Sequence, residues 1–298
     1  MPGRRATTQE GVPRQDYYAQ VAQAFDRASS NYDVLYQDNP VMAWMRQESL
    51  AVLRATFPPA SHLLEIGCGT GDEALALSRE GYRLVATDVS QGMIEAARAK
   101  AASAGAQGVT WRVLGTGRLD RLLAEYGPAS FDGAYASFGA LNCEPELAQV
   151  AETLSRLLRP GRKLVCSVMN RWCAWEIGWE LLHLRPRRAF RRMSRGWLNA
   201  GLASPGGSLQ VPVLYYTPSE LARLVAPHFQ VAWDRGLPVL LPPPYLAHLV
   251  MRHPAWFQRL EGLERRLRGR FPFRLLGDHF LMVATRIRPE PLRDPEQF

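Results

Sequence analysis

Cysteine is scarce and unhelpfully spaced. The four cysteines, at 68, 143, 166 and 173, form no C-x-x-C pair. That argues against a zinc site or a disulfide framework and leaves buried free thiols as the reading. Long hydrophobic runs are missing too. The best candidate, Leu237 to Met251, is 15 residues long and carries Pro238, Pro242, Pro243 and Pro244. It is too short and too broken to span a bilayer. The first residues, Met-Pro-Gly-Arg-Arg-Ala-Thr-Thr-Gln-Glu, hold no apolar core and so do not form a secretory signal. A cytoplasmic location is expected. No internal repeat is visible, which excludes a solenoid.

What is present suits a folded domain. The chain has 298 residues, 47% hydrophobic and 21% charged, enough for one large domain or one domain with a sizeable insertion. The net charge of +8 is unevenly placed. His183 to Gly196 holds six arginines and Arg252 to Arg274 holds seven. Two readings stand: solvated helix faces, or attraction to an anionic substrate, a membrane surface or nucleic acid.

Read in order, residues 1–14 are polar with Pro and Gly and suggest a disordered tail. Tyr17 to Ser30 has a helical pattern. Residues 41–56 form an amphipathic helix that stops before Pro58-Pro59. Strands follow at about 62–66, 82–88, 108–114, 130–136 and 162–169. Helices alternate with them at 72 onward, 91–102, 119–126 and 145–158. Such alternation implies a parallel sheet with helices on both faces. The regularity then breaks. Trp172, Trp175 and Trp179 mark an aromatic helix, Val211 to Tyr216 a short strand, 218–226 a helix and 229–235 a strand. An irregular stretch over 236–277 precedes a final strand, His279 to Ile287.

The chemistry announces itself at Leu63 to Asp72. A short apolar strand runs into Glu65-Ile-Gly67-Cys68-Gly69-Thr-Gly71, then a helix begins. A sharp strand-to-helix turn needs residues without a Cβ, and it brings free N–H groups close to a ligand. Dinucleotide-binding dehydrogenases space their glycines G-x-G-x-x-G. Here the spacing is G-x-G-x-G, with Asp72 where the third dehydrogenase glycine would fall. The next strand ends in Asp88, followed by Val-Ser-Gln-Gly-Met-Ile.

These residues, together with Leu-Leu-Arg-Pro-Gly-Arg-Lys-Leu at 157–164, resemble the class I S-adenosylmethionine-dependent methyltransferases, in particular the quinone and small-molecule group. The resemblance covers roughly residues 60–170. It implies an α/β, Rossmann-like doubly wound seven-stranded sheet, mostly parallel with the last strand antiparallel. A helical lid at 15–58 and insertions at 171–228 and 236–278 would complete one domain over 15–288, with a tail at 289–298. It implies S-adenosylmethionine as cofactor and no metal. Gly67, Gly69 and Gly71, with Cys68 between them, would let the backbone approach the methionine moiety, and Glu65 would orient that loop. Asp88 would accept hydrogen bonds from both ribose hydroxyls. Val89 and Met93 would pack the adenine. The loop after the third strand lacks the acid that often meets the adenine amine, leaving Thr116 or a backbone carbonyl for that contact. Ser137 and Phe138 would lie beside the transferable methyl group.

The acceptor is less legible. Tyr32, Tyr36 and Trp44 would close over the cofactor or simply pack their helical segment. Asn142 is a candidate to hydrogen-bond the acceptor, and Glu176 a candidate base. His253 and His279 read better as structural histidines. The segments rich in Trp, Leu and Pro suggest a small lipophilic or aromatic acceptor, methylated at O, N or C. Their flanking arginines suggest peripheral contact with a membrane surface. The alternatives are an RNA or protein methyltransferase and a non-catalytic cofactor-binding protein. Against nucleic acid stands the lack of an appended RNA-binding domain. Oligomeric state is not encoded in any pattern found.

Overall fold

The computed structural model describes residues 7–9, 12–194, 196–204 and 207–288. Its centre is a seven-stranded sheet. In chain order the strands are β1 (His62–Ile66), β2 (Arg83–Asp88), β3 (Val109–Val113), β4 (Phe131–Ala136), β5 (Leu158–Met169), β8 (Phe229–Leu237) and β9 (His279–Arg286). The spatial order is β8-β9-β5-β4-β1-β2-β3. Strand β9, the last in the chain, runs antiparallel to both its neighbours. The pairs among β5, β4, β1, β2 and β3 are parallel. The expected sheet is therefore found, antiparallel last strand included.

Alternation along β1 divides the core. Leu64 and Ile66 join one apolar cluster with Leu147, Val150 and Leu154 of α7 (Leu147–Leu157). Leu63 faces the other way, into a cluster with Trp44, Met45 and Leu53 of α3 (Pro40–Thr56). A period of two sends successive side chains to opposite faces, so one strand feeds two layers of helix. On the same side as α3 lies α4 (Asp72–Ser78), α5 (Gln91–Ser103) follows β2 and α6 (Asp120–Tyr126) follows β3; after β5 come α8 (Ala174–Leu182), α9 (Pro186–Ala189) and α10 (Pro218–Val225).

A third cluster lies apart from the sheet. Tyr17, Val21 and Ala24 of α1 (Arg14–Ser29) pack on Val211 and Val213. Those valines belong to a hairpin of β6 (Leu198–Ser204) and β7 (Gly207–Val213). Between α1 and α3 sits the short helix α2 (Tyr32–Tyr36). The Tyr17 hydroxyl donates to the carbonyls of Cys143 and Pro212, which ties this roof to the loop after β4.

Three expectations change. The strand expected at 211–216 is one arm of a hairpin that ends at Val213. The stretch 236–277 is not irregular throughout, because it contains α11 (Ala247–Arg252) and α12 (Pro254–Leu267). Prolines there begin elements, and Pro254 occupies a first-turn position that needs no backbone N–H. Within the expected N-terminal tail, Thr7–Gln9 pairs with Val12–Pro13 and α1 already starts at Arg14. Residues 1–6 and 10–11 lie outside the described residues, as does the expected tail at 289–298.

Candidate active site

Above the C-terminal ends of β1, β2 and β4 lies a cavity of about 500 Å³. Its floor is the loop between β1 and α4. Gly67, Gly69 and Gly71 all have positive φ, at 67°, 52° and 82°, so the loop coils tightly without Cβ strain. The three are not equivalent. A Cβ on Gly67 would lie 2.3 Å from the Ala140 Cβ, and one on Gly71 would lie 2.5 Å from Trp111. A Cβ on Gly69 would meet nothing within 4 Å. Gly67 and Gly69 line the cavity, whereas Gly71 seats α4 against Trp111 from behind.

Asp88, at the end of β2, is buried and lines the same cavity. One carboxylate oxygen accepts from the Gly69 N–H at 2.9 Å and the other from the Ser90 N–H at 2.9 Å. Burial pushes its pKa up, while these N–H groups pull it down. With about four acceptor sites on its two oxygens, the carboxylate keeps capacity for further donors. Ser90 is the helix cap of α5, its hydroxyl accepting from the Met93 N–H, so capping does not occupy Asp88. Cys68, Val89, Met93, Thr116, Ser137 and Phe138 also line the cavity.

Glu65 does not. It is buried beside Tyr135 on the sheet, and burial pushes its carboxyl well above the ordinary range.

The N-terminal helices close one side. Tyr32 and Tyr36 line the cavity with their rings 4.9 Å apart. Asp33 anchors α2 to the floor. It accepts from the Thr70 hydroxyl at 2.6 Å and pairs with Lys100 at 2.6 Å. Lys100 also pairs with Asp72, and Arg46 of α3 bridges Asp72 and Glu73. Trp44, by contrast, is a buried member of the α3 core cluster.

Both residues expected to act on the acceptor are otherwise engaged. Asn142 is fully buried. Its amide donates to the carbonyls of Met169 and Leu214 and accepts from the Met169 N–H. It holds three segments together and does not face the cavity. Glu176, 4% exposed, is clamped by Arg191 at 2.7 Å and Arg192 at 2.6 Å. Burial would raise its pKa, but those two charges hold it below the usual carboxylate range. A carboxylate held ionised between two guanidiniums is a poor proton acceptor.

The clamp leads to residues that local reading did not assign to the site, among them His279, read as a structural histidine. Arg191, Arg192, Tyr215, Tyr245, Asp278 and His279 line the far side of the cavity. Buried Arg192 also pairs with Asp278 at 2.7 Å and stacks its guanidinium over Tyr215 at 4.8 Å. Asp278 in turn accepts from His279 Nδ1 at 2.9 Å. No local pattern marks this set, which joins an insertion to the start of the last strand. His253, the other histidine considered, ends α11 and does not line the cavity. Among the described residues, no cluster of His, Cys, Asp and Glu has the makings of a metal site.

A family model described as a methyltransferase domain matches residues 63–161. A demethylmenaquinone methyltransferase from Symbiobacterium thermophilum is 28% identical over 153 residues, covering 49% of this chain and 57% of that protein. A ubiquinone biosynthesis O-methyltransferase from Xylella fastidiosa is 35% identical over 114 residues, covering 38% and 44% respectively. The chain thus spans about half the length of the curated relatives it matches. Among solved structures, the fold resembles a 1,6-didemethyltoxoflavin-N1-methyltransferase from Burkholderia thailandensis. The TM-score is 0.55 at 18% identity, over 97% of this chain and 94% of that one. The family match ends at residue 161, so Arg191, Arg192, Asp278 and His279 lie beyond it.

Proposed function

We infer, from the premise that residues 63–161 are a class I methyltransferase domain, that the protein binds S-adenosylmethionine in this cavity and methylates a small lipophilic or aromatic acceptor there. The observation that carries the reading is the meeting of Gly69 and Asp88 on one wall. At Gly69 the space a Cβ would fill is open, so a ligand can lie against the backbone. The two residues lie 19 apart in the chain, and the 2.9 Å hydrogen bond that joins them sets a bare backbone beside a buried carboxylate. That pair suits a ligand with an aminoacyl end and a diol. Asp88 takes the ribose hydroxyls, Val89 and Met93 pack the adenine, and Thr116 lies at its edge. Gly67, Cys68 and Gly69 receive the methionine moiety. Ser137 and Phe138 stand between it and the acceptor side.

When bound, the cofactor supplies an electrophilic methyl group on a sulfonium. The chain's task is then to hold an in-line nucleophile and to exclude water. Tyr32 and Tyr36, fixed through Asp33, cover the cofactor end. Tyr215, Tyr245 and Phe138 offer apolar faces to an aromatic acceptor. In this reading residues 15–288 form one domain, with 15–58 as lid and 171–228 and 236–278 as acceptor-side insertions.

The same proposal includes a cytoplasmic location and contact with a membrane surface. No described helix is long and apolar enough to cross a membrane. Leu182 and Leu184 are 76% and 88% exposed, next to exposed Arg185, Arg187 and Arg188. Exposed Met251 and Trp256 belong to the neighbouring α11–α12 region, joined to α8 (Ala174–Leu182) where Trp179 meets His248 at 6.2 Å. Apolar side chains ringed by arginine suit an anionic lipid surface.

Titration calorimetry tests the cofactor reading. Wild type binds S-adenosylmethionine, and Asp88→Ala loses about 1.5–3 kcal/mol, an affinity drop of tenfold or more. Equal binding by the two overturns it. Sedimentation with anionic and with neutral phospholipid vesicles tests the membrane contact, which predicts salt-sensitive binding to the anionic ones only.

A further inference from the structure

We propose that His279, oriented by Asp278, is the general base that takes the proton from an acidic hydroxyl of the acceptor. The proposal rests on the methyltransferase reading of the cavity and names the acceptor's class: a phenol or enol whose oxygen is methylated.

Three observations converge. First, His279 opens β9 at the cavity wall, with its ring 6.5 Å from that of Phe138 in an edge-on arrangement. Second, its Nδ1 is 2.9 Å from Asp278 Oδ2, and no hydrogen bond engages Nε2 among the described residues. An ionised carboxylate accepts only, so the bond fixes a proton on Nδ1, and in the neutral ring the lone pair is then on Nε2. Third, Asp278 is itself held. Its Oδ1 is 2.7 Å from Arg192, whose other nitrogens reach Glu176 Oε2 and the carbonyls of Asn170 and Asp278. Tyr245 donates to Glu176 Oε2 at 3.2 Å. The strands flanking His279 bring Met169 and Leu237 opposite it, neither of which is charged. The charged groups that face the dyad are therefore Asp278 directly, then Arg192, Glu176 and Arg191 in line behind it.

This arrangement explains why one arginine and two carboxylates are buried beside an otherwise apolar wall, with the exposed Arg191 closing the outer side of Glu176. An unpaired Asp278 there would be costly, and a free Arg192 equally so. Paired, they leave one carboxylate oxygen to fix the tautomer of one imidazole. Glu176, Arg192 and Asp278 are positioning residues, and of these four groups only His279 meets the acceptor's hydroxyl. In the step, the acceptor's O–H bond breaks and its proton goes to Nε2. The freed oxygen pair forms the new O–CH3 bond as the S–CH3 pair returns to sulfur. The imidazolium then gives its proton to water.

The test starts with the full-length protein labelled with 15N at its six histidines. The His279 resonance is the one missing from His279→Gln. The dyad predicts a protonated Nδ1 and a bare Nε2 at pH 8; a protonated Nε2 overturns it. Activity is read with methyl-labelled S-adenosylmethionine and two hydroxylated probes, catechol and 2-naphthol. Wild type should methylate at least one of them at oxygen, and methylation of neither overturns the proposal. His279→Gln should lower kcat by about 10²–10⁴-fold and lose the acid limb of the pH profile. Asp278→Asn should lower kcat by at least about tenfold and shift the histidine to the other tautomer. Calorimetric cofactor binding checks that each variant is folded. If wild type binds no cofactor, the methyltransferase reading fails. If it binds, and His279→Gln turns over within twofold of wild type, the dyad alone fails.

Discussion

At the scale of single residues, the site separates acids by what surrounds them. Asp88 accepts two backbone N–H groups at a cavity wall, whereas Glu65, two residues before the first glycine, is sealed beneath it. Burial raises the pKa of Glu65 well above its ordinary value. Its contribution to stability is therefore fully present below the unfolded carboxyl pKa and is lost as pH rises through the folded one. Glu65→Gln, a neutral isostere, should match wild type at pH 4 and show a higher Tm than wild type at pH 8. Thermal melts of the cofactor-free protein across that range decide it, and a lower Tm at pH 8 would refute it. Glu176 and Asp278 behave in the opposite sense. Burial alone would raise both, but Arg192 holds Glu176 low and, with His279, holds Asp278 lower still. Their stabilisation is present above the unfolded carboxylate range and is lost as pH falls through the depressed folded values. Acid unfolding should set in below about pH 4. Arg192→Met strips the charge partner from Asp278 and one of two from Glu176, and should cost about 3–5 kcal/mol at pH 7 by denaturant titration.

At the scale of elements, the loop between β1 and α4 divides its glycines by task. Gly71→Ala puts a Cβ into Trp111 at a φ of 82° and should cost about 2–5 kcal/mol of stability, overpacking added to left-handed backbone strain. Gly69→Ala meets no neighbour. It should cost only the left-handed backbone penalty of about 1–2 kcal/mol, yet weaken cofactor binding at least tenfold by filling the open side of the floor. Measuring stability and affinity on both variants separates the two effects. Helix α2 is only five residues long, too short to stand alone, and Asp33 fastens it through Thr70 and Lys100. Asp33→Ala should speed cofactor release in stopped-flow while leaving global stability within about 1 kcal/mol, as expected of a partly exposed ion pair.

Much of this scale was legible in the sequence. Strands β1 to β5 and their helices follow from apolar period and from stops such as Pro58 and Gly161. The β6 arm of the hairpin is hard to read locally, because only Leu198, Ala200 and Leu202 alternate, among small or polar residues, and they take their place by packing on the α1 cluster. Helices α11 and α12 were missed because clustered prolines there read as breakers, though Pro254 begins a helix.

At the scale of the whole molecule, the basic charge resolves into two populations. Arg192 and Arg268 are buried and paired, the latter with Glu48 of α3. Arg185, Arg187 and Arg188 are exposed beside bare leucines. Composition counts both alike. Only the exposed set is available to an anionic surface, so replacing those three with Gln should abolish vesicle binding and leave cofactor affinity unchanged.

The sequence by itself determined the parallel strands and the glycine loop, because these rest on short-range rules: the period of a strand, the absence of a Cβ, the residue at a strand's end; the antiparallel last strand followed only from the family resemblance. The tertiary structure decided which polar groups face the cavity. Glu176 lies 16 residues from Arg192, and Arg192 lies 86 from Asp278. No local pattern ties them, and their charge states follow from burial and pairing that exist only once the insertions close over the sheet. For the same reason Glu176 and Asn142 read as acceptor residues and fold as struts, while His279 reads as structural and folds onto the wall.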